Sequence, residues 1–114
     1  MSRNLPYDRV SRVADEVFRI ISNMVYTELS DPRLSDVHIT RVKMTKDLRI
    51  ARVHFHFVES DEIKRKNTSD ILKKASGKFK SKIGSELSLK YTPEMEFYYD
   101  DAIDLQEKIE SLLK

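Results

Sequence analysis

From Asp8 to Leu29 the apolar residues Val10, Val13, Ala14, Val17, Ile20, Ile21, Met24 and Val25 return every three or four positions. This is the period of an amphipathic helix, and Arg9, Arg12, Asp15, Glu16, Arg19 and Asn23 fall largely off the stripe. In the "LSDPRLSD" that follows, Pro32 disfavours helix at Asp31 and marks an ordered exit turn. The period then shortens. Val37, Ile39, Val42 and Met44, followed by Leu48, Ile50, Val53, Phe55 and Phe57, form two β-branched and aromatic runs around the turn "TKD", which reads as a hairpin. The alternation skips once in each run, between Ile39 and Val42 and between Ile50 and Val53, so a bulge or strong twist is expected in both. After a polar connector, "ESDEIKRKN", helical spacing resumes at Ile71, Leu72, Ala75, Phe79, Ile83 and Leu87. "YTPEMEFYYDD" predicts a third strand with Met95, Phe97 and Tyr99 on one face, and Ile103, Leu105, Ile109, Leu112 and Leu113 predict a closing helix.

The order helix, strand, strand, helix, strand, helix implies an α+β domain whose three-stranded sheet is covered by helices on one face. The other face is expected to be exposed and to carry His38, Arg41, Lys43, Arg49, Arg52, His54 and His56. With 114 residues, no repeats and no flexible linker, residues 1–114 are expected to form one domain.

Composition narrows the function classes. There is no cysteine, which removes disulfides, thiolate zinc sites and cysteine nucleophiles together. No apolar run approaches the roughly 20 residues that span a bilayer, and "MSRNLPYDRV" lacks the apolar core of a signal peptide, so the expected location is the cytoplasm. The net charge of +2 hides a division: from Glu94 onward seven acidic residues face Lys108 and Lys114, while residues 1–93 carry 19 basic against 12 acidic residues. A basic body with an acidic end suits one surface for a polyanion and another that repels it, although solvated charge alone also accounts for such a split.

Little points to catalysis. The two glycines, Gly77 and Gly84, make neither a P-loop nor a dinucleotide fingerprint. His54 and His56 share a strand face, and His38 could sit across the hairpin from them; three imidazoles could bind zinc, but exposed sheet histidines without metal are the commoner outcome. Asp100 and Asp101 resemble a catalytic pair only by adjacency, and their position suits capping of the last helix. No serine lies in a glycine-flanked nucleophile turn.

The lysines carry more information. Between residues 73 and 90, Lys73, Lys74, Lys78, Lys80, Lys82 and Lys90 face a single acid, Glu86. With Ala75, Phe79 and Ile83 looking inward, Lys73, Lys74, Lys78, Lys80 and Lys82 spread over the exposed sides, where they could meet a phosphate backbone or simply be solvated. Arg9, Arg12 and Arg33 add charge near a helix entry and exit. Glycine inside a helix costs roughly 0.5–1 kcal/mol against alanine, so two within eight residues suggest a bend.

Five stretches, "RVSRVADEV" (9–17), "DPRL" (31–34), "VKMTKDLRIARVHF" (42–55), "ASGKFKSKIG" (75–84) and "TPEMEFYYDD" (92–101), together resemble the ribosome-binding factor A family of bacterial small-subunit assembly factors. The resemblance implies a KH-type fold of the second topology, with the order helix, strand, strand, helix, kink, helix, strand, helix. It also implies that the GxxG clamp of ordinary KH domains is replaced by a kink built on an Ala-x-Gly sequence, here Ala75, Ser76 and Gly77. Gly77 would be the hinge, and a valine there would be expected to damage the fold. RNA contact is expected at Arg9, Arg12, Arg33, Lys73, Lys74, Ser76, Lys78, Lys80 and Lys82, with no catalytic residue, metal or cofactor. The implied partners of this monomer are the small (30S) ribosomal subunit and its 16S rRNA, engaged in late 5′-end maturation and growth in the cold. A separate GTPase would drive release, and no membrane would be involved. Some relatives carry a longer charged tail after the closing helix, so any function of that tail is not expected here. Two other readings remain: a protein-interaction module using the exposed sheet or the acidic last helix, and a histidine-metal hydrolase.

Overall fold

The computed structural model describes residues 8–113. Residues 1–7, which include most of the segment judged against a signal peptide, and Lys114 lie outside the described residues. The first helix, α1 (Arg9–Thr27), starts at Asp8, whose carboxylate accepts the Ser11 N–H at 2.7 Å, as expected of an N-cap. Its apolar stripe, Val13, Ala14, Val17, Ile20, Ile21, Met24 and Val25, is buried, while Val10 is half-buried. A 3-10 turn at Pro32–Leu34 closes the exit, with Asp31 capping it through the Arg33 N–H at 2.9 Å.

Two antiparallel strands follow, β1 (His38–Met44) and β2 (Ile50–His56). The expected irregularity in β1 is present: the register shifts between Ile39 and Arg41, leaving Thr40 as the extra residue. The one expected in β2 is absent, because Ala51, not Ile50, faces the core and completes the alternation Ala51, Val53, Phe55, Phe57. Leu48 belongs to the turn and not to the strand. Its φ of 63° lies in the left-handed region, and its side chain is half-buried against the core.

The supposed connector is mostly helix. α2 (Glu62–Lys74) is capped by Asp61, which accepts the Lys64 N–H at 2.7 Å, and buries only Thr68 and Leu72. Apolar periodicity could not announce it, because long cationic side chains do part of the packing: the Lys64 ammonium lies 4.4 Å from the Phe57 ring centre and the Arg65 guanidinium 4.0 Å from that of Tyr99. After Ala75, α3 (Ser76–Glu86) buries Phe79 and Ile83. β3 (Glu94–Tyr99) then adds in parallel beside β2, giving the sheet order β1-β2-β3. A parallel neighbour needs a crossover, which α2 and α3 supply. The α+β, KH-type order expected above is the order found.

α4 (Ala102–Leu112) departs from expectation. It buries no residue, and its apolar residues stay exposed, from Ile103 at 43% to Leu113, just beyond its end, at 81%. Polar contacts hold its first turn: Asp104 accepts the Tyr99 hydroxyl at 2.9 Å, lies 3.3 Å from His56 Nε2 and pairs with Arg65 at 3.6 Å. Those contacts also correct the sheet face. His38, Arg41, Lys43 and Arg52 are exposed, but His56 is only 8% exposed beneath Asp104 and stacked on Tyr99, and His54 is half-buried against Tyr98. Arg49 is exposed in the turn and not on the sheet. Among the described residues no three His, Asp or Glu side chains gather as metal ligands. Capping of α4 falls to buried Asp100, which accepts the Ala102 N–H at 3.1 Å and the Thr40 hydroxyl at 2.6 Å, whereas Asp101 makes no side-chain cap. No helix among the described residues is long and apolar enough to cross a membrane.

Candidate nucleic-acid interface

The break between α2 and α3 falls on one residue. Ala75 donates its N–H to the carbonyls of Ile71 and Leu72, both at 3.1 Å, and its own carbonyl accepts from Lys78 at 3.0 Å and Phe79 at 3.2 Å. The α2 ladder therefore ends on Ala75 and the α3 ladder restarts from it. Ala75 is half-buried between Leu72 and Phe79, both fully buried, so the two helices join while their flanking side chains return to the core.

The break falls at Ala75, two residues before Gly77, the residue expected to be the hinge. Gly77 lies in the first turn of α3 without a positive φ, and a Cβ built on it meets nothing within 4 Å. A Cβ at this position meets open space, which favours tolerance of a side chain over the damage expected above for valine. Gly77→Ala should leave stability unchanged or raise it by up to about 0.5–1 kcal/mol, and Gly77→Val should remain folded. Thermal unfolding checks this: a fall of several degrees for the alanine variant would mean that the fold itself requires the glycine.

The start of α3 is electrostatically unusual. No side chain caps it and no acid lies in its first turn; the N–H groups of Ser76 and Gly77 have no partner within α3, as at any helix start. Lysine, not an acid, stands at position 78, against the preference of the helix dipole. Lys78 lines two hollows at once. One, of about 440 Å³, is walled by Arg33, Asn67, Asp70, Lys74 and Ala75; the other, of about 530 Å³, by Met24, Glu28, Gly77, Ser81 and Lys82. Open backbone N–H groups, an unobstructed glycine and flanking lysines make this edge receptive to an anion.

The nine residues expected to contact RNA do not form one patch. Lys74 and Lys78 are exposed and make no ion pair among the described residues, and Lys73 is likewise exposed beside them. Arg33 reaches the same hollow, but its guanidinium is bidentate on Asp31, at 3.0 and 2.7 Å. Hydrogen bonds from the Arg33 side chain and backbone hold the Asp31 carboxyl at about 2, so Arg33 stays compensated at any ordinary pH. Lys80 turns to Glu94 at 2.6 Å, and Lys82 to Glu86 at 3.7 Å. Ser76 is half-buried and Arg12 exposed on α1. Arg9 stands apart, at the far end of α1, in a cleft with Arg49, Lys90 and Tyr91. Sequence reasoning missed that grouping as a site: Arg49 and Tyr91 are joined only by the parallel docking of β3, which places Glu94 opposite Ile50.

The family model described as ribosome-binding factor A matches residues 9–113. Two proteins bearing that name are similar to this chain: one from Desulfatibacillum aliphaticivorans, 40% identical over 93% of this chain and 85% of its own length, and one from Geobacter sp. (strain M21), 42% identical over 93% and 88%. Among solved structures, a Thermotoga maritima protein proposed to be a ribosome binding factor A is 33% identical, with a TM-score of 0.74 over 90% of this chain and 96% of its own. The crystal structure of ribosome-binding factor A from Thermus thermophilus shares the fold at 18% identity, with a TM-score of 0.67 over 82% of this chain and 97% of its own. The order of elements, the break at Ala75 and these matches along nearly the whole chain agree, and the chain belongs to the ribosome-binding factor A family.

Proposed function

We propose that this protein is a non-enzymatic assembly factor that binds the small ribosomal subunit as a monomer in the cytoplasm, folded as one domain, and contacts 16S rRNA through the α2–α3 edge. The observation that carries the reading is the pairing of Lys74 and Lys78 across the break at Ala75, neither in an ion pair among the described residues and both beside the uncapped start of α3. Phosphates would be met by these lysines, with Lys73, Lys80, Lys82, Arg33, Arg12 and Ser76 as flanking contacts. Phosphate contact positions a protein on folded RNA without reading its bases. A Thermus thermophilus homologue, fitted into a cryo-EM map of a 30S complex, supports the same partner for this chain. The finer role is late maturation of the 16S 5′ end, with support of growth in the cold and release by a separate GTPase.

Sedimentation of the purified protein with separated small and large subunits at several salt concentrations tests this. Binding should saturate on the small subunit alone. With about six phosphates neutralised, log affinity should fall against log salt with a slope of roughly −4 to −5. A flat salt response, or equal binding to both subunits, rejects the mechanism. A second reading, a protein-interaction surface on α4, is favoured by the exposed Leu105, Ile109 and Leu112, and predicts partner binding that survives ribonuclease.

A further inference from the structure

Away from the α2–α3 edge, the start of α1, the β1–β2 turn and the segment leading into β3 converge on a cleft of about 250 Å³, lined by Arg9, Asp47, Leu48, Arg49, Lys90 and Tyr91, with Leu89 behind them. Tyr91 is 48% exposed. The Arg49 guanidinium carbon lies 4.3 Å from its ring centre and the Lys90 ammonium 5.5 Å. Arg9, Arg49 and Lys90 form no ion pair among the described residues, so two cations face one exposed aromatic ring and a third lines the same cleft. The one acid, Asp47, is engaged in the turn, accepting the Thr45 hydroxyl at 2.7 Å and the Arg49 N–H at 3.1 Å. Cations also pack on the rings of Phe57 and Tyr99, but Phe57 is buried and Tyr99 half-buried, whereas Tyr91 is exposed; unpaired nucleotides are held at such a face, where a base stacks on the ring or the guanidinium plane and the flanking cations take its phosphates. The volume is below the roughly 300–1,000 Å³ of sites for drug-sized ligands and suits one planar base.

We infer that the Tyr91 cleft, with Arg9, Arg49 and Lys90, is a second nucleic-acid site that holds one unpaired RNA nucleotide by stacking. The inference rests on the RNA-binding reading above and extends it. Arg9 lines this cleft while Met24 and Glu28 line the hollow beside Gly77, so α1 separates the two sites by about 25 Å at 1.5 Å rise per residue. The protein thus fixes two RNA segments relative to one another: a phosphate backbone at the α3 start and a splayed base at Tyr91.

The test is fluorescence anisotropy of the full chain with fluorescein-labelled hexauridylate and hexaadenylate, run beside the small-subunit sedimentation. Tyr91→Ala should weaken hexanucleotide binding about tenfold, the loss expected for one stacked base; Tyr91→Phe, which keeps the ring, should bind within about twofold of the parent, as aromatic stacking requires no hydroxyl. Tyr91 is exposed, so neither variant should unfold, and thermal melting confirms this. No binding by the parent, an unchanged Tyr91→Ala affinity, or an equal loss in Tyr91→Phe overturns the site. Ring-dependent hexanucleotide binding with no small-subunit binding upholds the site and rejects the ribosomal reading. Subunit binding with ring-independent hexanucleotide binding does the reverse.

Discussion

The Lys74→Glu, Lys78→Glu protein should bind the small subunit about 100-fold more weakly than the parent near 0.1 M salt, and unfold at nearly the same temperature. Each phosphate neutralised contributes close to one log unit of affinity at that salt through counterion release, so losing two contacts costs nearly two, and the reversed charges add repulsion. The salt slope should flatten by roughly 1.5–2. Stability should barely move, because the two reversals act oppositely on the helix dipoles: Lys74 ends α2, where a cation is favoured, and Lys78 begins α3, where an acid is. Both side chains are exposed. Lys108→Glu on the acidic α4 serves as the control and should change affinity by less than about twofold, since it lies on no expected phosphate contact. An unchanged slope in the double variant, or an equal loss in the control, would remove the α2–α3 edge from the mechanism.

Phe79→Ala should have the largest effect on stability, roughly 3–5 kcal/mol, which approaches the whole of a small domain's margin. Phe79 is fully buried in the first turns of α3, with its ring centre 6.0 Å from that of Phe97 in β3. It draws the chain back to the core immediately after the break, so its loss removes both a large apolar contact and the anchor of the kink. Urea unfolding measures it. A cost under about 1 kcal/mol would mean that the α3 start is held by something other than this side chain.

Both expectations concern one short stretch, Lys74 to Phe79, and they show how differently the chain discloses itself. Phe79 and Ile83 are legible because burial imposes a period, and a period survives in one dimension. The same logic exposed α1, the two strands of the hairpin and the Thr40 bulge. It failed for the first half of α2, whose packing depends on Lys64 and Arg65 lying over Phe57 and Tyr99; a pattern scored on apolar residues cannot register a lysine used as a hydrophobe. It failed at Ala51 because a small side chain under a helix adds little to an apolar pattern. α4 was legible as a helix and misleading as a closing one, since amphipathic spacing shows that a face is apolar but not that anything covers it.

The site divides along the same line. The sequence put Lys74 and Lys78 in one exposed basic run, and the structure sets them on either side of the break at Ala75. Which of the nine proposed contacts remain available was decided in three dimensions: Asp31 takes Arg33, Glu94 takes Lys80, and Glu86 lies beside Lys82. The pairing of Lys80 with Glu94 and the meeting of Arg9, Arg49 and Tyr91 follow from β3 docking parallel to β2, a choice that no local pattern encodes. The sequence by itself determined the helix and strand order apart from the first half of α2, the core faces of α1 and α3, and the excess of positive charge, because periodicity and composition are local properties. Only the tertiary structure decided that the break lies at Ala75 with Gly77 left open, that His56 is buried and α4 uncovered, and which charges stay unpaired, because each of these depends on distances between residues far apart in the chain.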